Sequence, residues 1–175
     1  LGLDKNDLGI TIYDVLVNNV SMKDAMYDLE YFDMKMIPSN IDLTGAEIEL
    51  VGETEREYKI KNALKEVERD FDFIIIDCPP SLGIVTLNVL SAAHSVLIPV
   101  QCEYYALEGL SQLIHTINLV NQRLNPKLKM EGVVFTMYDA RTNLSLQVVE
   151  NVKSNLRQTI YKTIIPRNVR LAEAP

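Results

Sequence analysis

Apolar residues recur along this chain in two rhythms, and the switches between them predict an order of elements. The run Phe71 to Asp77 (FDFIIID) is almost continuously apolar and β-branched, the pattern of a strand buried on both faces of a parallel sheet. Ile84 to Ala92 follows as a short helix and Ser95 to Val100 as a second buried strand. From Leu107 the apolar positions fall at Leu110, Ile114, Ile117, Val120 and Leu124, one helical stripe that Pro126 closes. Glu131 to Thr136 predicts a third strand, and Ile160 to Ile165 a last one. Between them Leu144, Val148, Val149, Val152 and Leu156 share one face of a helix, with Asn143 as its cap. Upstream, Met34 to Ile37 is a short strand stopped by Pro38 and Ser39. Leu43 to Leu50 and Glu55 to Arg69 are helical, the second with Tyr58, Leu64 and Val67 inward. Strands alternating with crossover helices predict an α/β fold with a doubly wound, mostly parallel sheet. Ligands of such sheets bind at the carboxyl ends of the strands.

Composition narrows the class. The 175 residues, 47% hydrophobic and 23% charged, fit one ordered domain. Two cysteines, 24 positions apart and outside any Cys/His cluster, exclude a disulfide framework or a zinc site and fit a reducing cytoplasm. Uninterrupted apolar runs stay far below the ~20 residues of a membrane span. The opening LGLDKNDLG has no basic-then-apolar leader pattern, so a cytoplasmic chain is expected.

The net charge of -7 argues against nucleic acid as a partner only if it is evenly spread. Residues 1–103 carry 19 acids and 8 bases, net -11, whereas residues 104–175 carry 5 acids and 9 bases, net +4. The basic part is therefore a candidate interaction face, while the acids from Glu47 to Asp72 read as solvated helix surfaces.

Candidate chemistry lies after the strands: in Asp77-Cys78-Pro79-Pro80-Ser81, Gln101 to Tyr104, Met137 to Asn143, and Pro166 to Arg170. Asp77 is the sharpest. A carboxylate ending an apolar strand, beside a turn fixed by two prolines, suits holding magnesium or its waters next to nucleotide phosphates. The plainer alternative is an aspartate capping the next helix. Thr136, Asp139 and Thr142 either touch a nucleotide or cap turns. His94 and His115 have no catalytic partner in a recognisable motif, and Cys102 reads as a small apolar residue.

Four segments, FIIIDCPPSLG, VLIPVQCEYYALEGLSQL, GVVFTMYDARTNLSLQVVE and TIIPRNVRLAEAP, resemble in order the ParA/Soj family of chromosome and plasmid partition ATPases, as does PSNIDLTGAEIELVG. The resemblance implies a P-loop NTPase type of sheet, ATP and Mg2+ as cofactors, and a homodimer with nucleotide sandwiched between subunits. It also implies nonspecific DNA as a partner, a ParB-like activator, and a bacterial, cytoplasmic, nucleoid-associated setting without membrane. By position, Asp77 matches the Walker B acid, acting on the metal through water, and Cys78 to Gly83, with Pro79 and Pro80, match the turn that senses the γ-phosphate. Pro166, Arg167 and Asn168 match the adenine loop, and Glu103 with Tyr104 match a loop near the facing subunit. Arg141 and Arg170 match basic positions used for DNA, where the arginine fork meets phosphate oxygens in pairs.

The chain departs from the family in one respect. None of its seven glycines is followed by Lys, so it has no Gly-Lys-Ser/Thr core. In the family that loop precedes the region beginning at Leu1, and a closing segment follows Pro175. The expectation is a single, partial nucleotide-binding domain over residues 1–175 that lacks the phosphate-loop strand and is catalytically incompetent alone. Loss of that central strand is expected to expose the Asp77 strand and to promote association. Two other readings stay open: a noncatalytic binding or assembly fragment, and a MinD-like membrane-positioning ATPase. Locally, Arg141 can be a solvated loop residue, Arg170 can pair with Glu173, and Lys153, Arg157 and Lys162 can belong to a solvated face.

Overall fold

The structure, a computed structural model, describes residues 8–30, 32–79, 81–104, 106–156 and 159–173. Contacts gather into two compact units, one up to Ala92 and one from Ala93.

The first unit opens with helix α1 (Ile12–Val17), whose start is fixed by a capping box. The Thr11 hydroxyl accepts the Tyr13 N–H, and the Asp14 carboxylate accepts the Thr11 N–H at 2.9 Å. That hydrogen bond is the main cause of the lowered pKa of Asp14. An antiparallel pair, β1 (Tyr27–Asp28) and β2 (Lys35–Met36), precedes α2 (Leu43–Glu49), which runs into a 3-10 turn over Leu50–Gly52. Next come a 3-10 turn over Arg56–Tyr58, α3 (Lys59–Leu64), another 3-10 turn over Glu68–Asp70, and α4 (Ile84–Ala92). Leu16, Ile60 and Val89 form one core cluster, and Val15, Met22, Ala25 and Val67 another.

Two predicted elements of this unit need correction. The single helix expected over 55–69 is broken, and buried Asn88 on α4 supplies the reason. Its Oδ1 accepts the Ile60 N–H at 3.2 Å, while its Nδ2 donates to the Arg56 carbonyl at 2.7 Å and the Ile84 carbonyl at 3.0 Å. In a continuous helix Ile60 N–H would bond Arg56 C=O directly. The amide of Asn88 stands between them and satisfies both.

The strand expected at 71–77, buried on both faces, is not formed. Ile76 and Cys78 pack against the Leu16–Ile60–Val89 cluster and Phe71 against the other, but Phe73 is 86% and Ile75 93% exposed. Only one side of the run is covered, and among the described residues no strand pairs with it. Without a neighbouring ladder, β-branched composition alone does not make a strand. The 175-residue chain is accordingly expected to self-associate as its concentration rises on a sizing column, and the double substitution Phe73→Lys, Ile75→Lys to suppress this. A wild-type chain that stays monomeric at high concentration would contradict the expectation.

In the second unit, β3 (Ser95–Gln101), α5 (Ala106–Arg123), β4 (Lys129–Tyr138), α6 (Asn143–Asn155) and β5 (Ile160–Pro166) follow in order, with short α7 (Val169–Ala172) last. The strands form a parallel sheet in the order β3-β4-β5. This agrees with the α/β, parallel class and with all five elements predicted for this unit to within a few residues. Successive right-handed crossovers in one direction bring α5 and α6 to the same face. On that face Ile98 and Val100 stand in register with Val133 and Phe135, which are fully buried. Leu110, Ile117 and Val120 of α5, and Val148, Val149 and Val152 of α6, are the buried apolar positions of these helices. β4 bulges at Glu131, where the register moves from Val96–Met130 to Leu97–Gly132. Gly132 is required there. Its φ is 157°, and a Cβ would stand 2.8 Å from Cε2 of Tyr161 and 3.0 Å from the Thr159 carbonyl oxygen.

Candidate functional site

The loops after β3, β4 and β5 are tied to one another by backbone hydrogen bonds. Cys102 N–H donates to the Thr136 carbonyl at 3.1 Å, and Arg167 N–H donates to the Tyr138 carbonyl at 2.9 Å. Met137, between those two carbonyls, has a φ of 54°, a left-handed conformation rare for a residue with a side chain. Local strain thus sits where β4 turns into the loop Tyr138 to Thr142. This edge gathers Glu103, Asp139, Arg141, Pro166, Arg167, Asn168 and Arg170, which are the positions where a parallel sheet presents residues to a ligand.

Each expected site residue of this unit can now be placed. Glu103 is exposed in the turn that enters α5, with its carbonyl accepting the Ala106 N–H. Pro166, Arg167 and Asn168 are exposed at the end of β5. The Asn168 Oδ1 accepts the Arg170 N–H at 2.9 Å and caps α7, which leaves its amide nitrogen for other partners. Arg170 is exposed and, among the described residues, forms no ion pair; the alternative pairing with Glu173 is not made.

Arg141 is held differently. Its Nε donates to Asp139 Oδ1 at 2.9 Å and its Nη2 to Asp139 Oδ2 at 2.7 Å, while its backbone N–H also reaches Oδ1 at 3.0 Å. These contacts hold the Asp139 carboxyl down to about 2, the Arg141 side-chain hydrogen bonds being the largest cause and the charge of Arg167 a smaller one. The Asp139 N–H donates to Ser145 Oγ at 3.3 Å, and Thr142 Oγ1 accepts the Ser145 N–H at 3.3 Å. Thr142, not Asn143, therefore caps α6. The role of Asp139 as carboxylate partner of Arg141 is absent from the sequence expectations. The signal for it is the spacing in Asp-Ala-Arg-Thr, where an aspartate two residues before an arginine closes a turn on the Arg N–H.

Asp77 and Pro79 belong to the first unit and are exposed, while Pro80 lies outside the described residues. The Cys78 thiol is pushed up, first by burial and then by the charge of Asp77. That makes it a poor nucleophile and supports a packing role. Among the described residues no group of three or more His, Cys, Asp or Glu side chains is placed to hold a metal. An exposed lone carboxylate fits magnesium in one way only, through the waters that this ion retains when most of its other ligands are phosphate oxygens.

Comparison with known proteins decides the family. The AAA domain family matches residues 1–130. The sporulation initiation inhibitor protein Soj of Bacillus subtilis is 54% identical over 175 residues, all of this chain and 69% of that protein. The chromosome partitioning protein ParA of Myxococcus xanthus is 51% identical, again over the whole chain and over 62% of its own length. The chain belongs to the ParA/Soj family. A crystal structure of cobyrinic acid a,c-diamide synthase from Mycobacterium smegmatis, with bound ATP analog and magnesium, is 42% identical with a TM-score of 0.89. The match covers 97% of this ParA/Soj chain and 69% of that one. In length the chain thus spans about two thirds of these relatives. Among the described residues no helix is long and apolar enough to cross a membrane.

Proposed function

We propose that this chain carries most of a partition ATPase that binds ATP with Mg2+ between two subunits and, in that dimer, holds DNA without sequence preference until a ParB-like partner stimulates hydrolysis. The observation that carries this reading is identity above 50% along the whole chain to Soj and ParA. Exposed Asp77 is the residue that would reach the waters of the metal, whose chemistry is to offset charge on the phosphates. Pro79 and Pro80 follow it in the sequence. Pro166, Arg167 and Asn168 offer a preset backbone and planar donors to a flat base, and Glu103 is exposed on the same edge of the sheet. With no Gly-Lys pair in the sequence, the 175 residues alone would not turn over ATP.

The DNA-binding branch is favoured over a membrane-positioning one by Arg141 and Arg170, both exposed in the part of the chain with net charge +4. In the chain extended to the length of its relatives, Arg170→Glu is expected to weaken retention of unrelated duplexes to the same degree. The slope of affinity against salt should also become shallower by about 0.9 for each phosphate that is no longer neutralised. Weakening confined to one sequence, or none at all, would refute a phosphate-only contact.

A further inference from the structure

Around the loops that follow β3, β4 and β5, the basic side chains are not equivalent. Among the described residues Arg167 and Arg170 form no close ion pair, Arg167 feeling Asp139 only through a weaker charge interaction, whereas Arg141 is locked in a two-pronged ion pair with Asp139. The Arg141 side chain is nonetheless 88% exposed, while that of Asp139 is only 20% exposed. The guanidinium is thus presented outward and the carboxylate sits behind it. A guanidinium has five N–H donors, and two of them are spent on Asp139, which leaves three for a phosphate. Geometry permits contact with DNA, but the charge that would drive it is offset by a carboxylate 2.7 Å away. Because the Asp139 carboxyl is held to about 2, this offset is present at every pH at which DNA binding is ordinarily measured.

Two observations argue that the pair is built in rather than incidental. Asp139 also accepts the Arg141 backbone N–H, and its own N–H donates to Ser145 at the start of α6. The carboxylate therefore cannot swing away without opening the turn. The α6 cap, Thr142, donates its hydroxyl to the Asp139 carbonyl at 3.0 Å. The opposing charge is thus braced in place by the same residues that start the helix.

We propose that Asp139 is a built-in competitor for the DNA phosphate at Arg141, presenting that arginine in a fixed orientation while keeping its grip weak and readily released. This rests on the reading that Arg141 meets DNA. It separates the basic positions into an attenuated one, Arg141, and an unopposed one, Arg170. The contrast suits a protein whose hold on DNA has no sequence preference, because charge alone then sets both strength and salt dependence.

The test uses the chain extended to the length of its relatives, with ATP and magnesium, and anisotropy titrations of two unrelated duplexes over a range of salt. Asp139→Asn keeps an oxygen for the Arg141 N–H and removes the charge. It is expected to tighten binding to both duplexes roughly two- to fivefold, the range set by the worth of an exposed ion pair, and to steepen the salt slope. Asp139→Ser, which also keeps an oxygen for the turn, should change affinity in the same direction. A gain of affinity is a result that loss of folded structure does not give. Arg141→Ala should weaken binding, and adding Asp139→Asn to it should then give a smaller gain than in the parent. If Arg141→Ala leaves binding unchanged, the DNA role of Arg141 fails and this proposal fails with it. If Arg141→Ala weakens binding while neither Asp139 variant tightens it, the competitor role is overturned and the DNA role stands.

Discussion

Asp77→Ala, placed in the chain extended to the length of its relatives, is expected to lower the steady-state rate of phosphate release from ATP roughly 10- to 100-fold at saturating magnesium. That is the usual cost of removing a group that acts on a metal through its bound water. The sequence around Asp77 supports the size of the effect. Pro79 follows two residues later, and Ile76 and Cys78 on either side are packed against the Leu16–Ile60–Val89 cluster, so the carboxylate is carried on an anchored backbone and exposed. An anchored, exposed carboxylate loses none of its reach to motion of its own support. Asp77→Asn keeps size and hydrogen bonding but removes charge, and should recover little of the rate if charge is what acts. Circular dichroism of the variants separates loss of the carboxylate from loss of fold. A normal rate for Asp77→Ala would remove this residue from the proposed site.

The second unit was legible from periodicity because its elements obey one rule each. The stripe Leu110, Ile117, Val120 is a helix face, and Ser95 to Val100 is a run long enough for one strand and too short for a helix. Failures lie where one side chain overrides the pattern. Asn88, polar and in the middle of an apolar helix, redirects the hydrogen bonds of a distant segment and divides the helix expected over 55–69. No period detects that. Helix α1 is missing from the periodicity reading because six residues are too few to show a stripe, yet Thr11-x-x-Asp14 before an apolar run announces it. The Phe71–Asp77 run shows the limit of composition: its residues suit a buried strand, but a strand also needs a neighbour, and neighbours are a property of the whole sheet. For the site, strand ends point to one edge of the second unit, and the structure ties the loops on that edge together. The pairing of Asp139 with Arg141 is signalled only by the local spacing Asp-Ala-Arg-Thr and by no periodicity, because it depends on how a turn closes.

Phe135→Ala is expected to be the most damaging single change to stability, by about 3–5 kcal/mol in urea unfolding. Phe135 is 0% exposed, the largest side chain so fully buried among the described residues. It stands on the central strand β4, in register with Val100 on β3 and Ile164 on β5, on the face that also carries buried Val133. Truncation would open a cavity on the buried face of the sheet, and a strand paired on both edges has little freedom to move into it. The effect should reach the site. Thr136 and Tyr138, the next residues along β4, supply the carbonyls that hold the Cys102 and Arg167 N–H groups, and Asp139 and Arg141 follow immediately. A displaced β4 would loosen those loops together, so DNA retention should fall at temperatures below the unfolding midpoint. Leu97→Ala on the same sheet, at a position 53% exposed, is the control and should change stability by less than about 0.5 kcal/mol. Equal losses for the two variants would mean that the buried face of β3, β4 and β5 is not the core on which the carboxyl-edge loops depend.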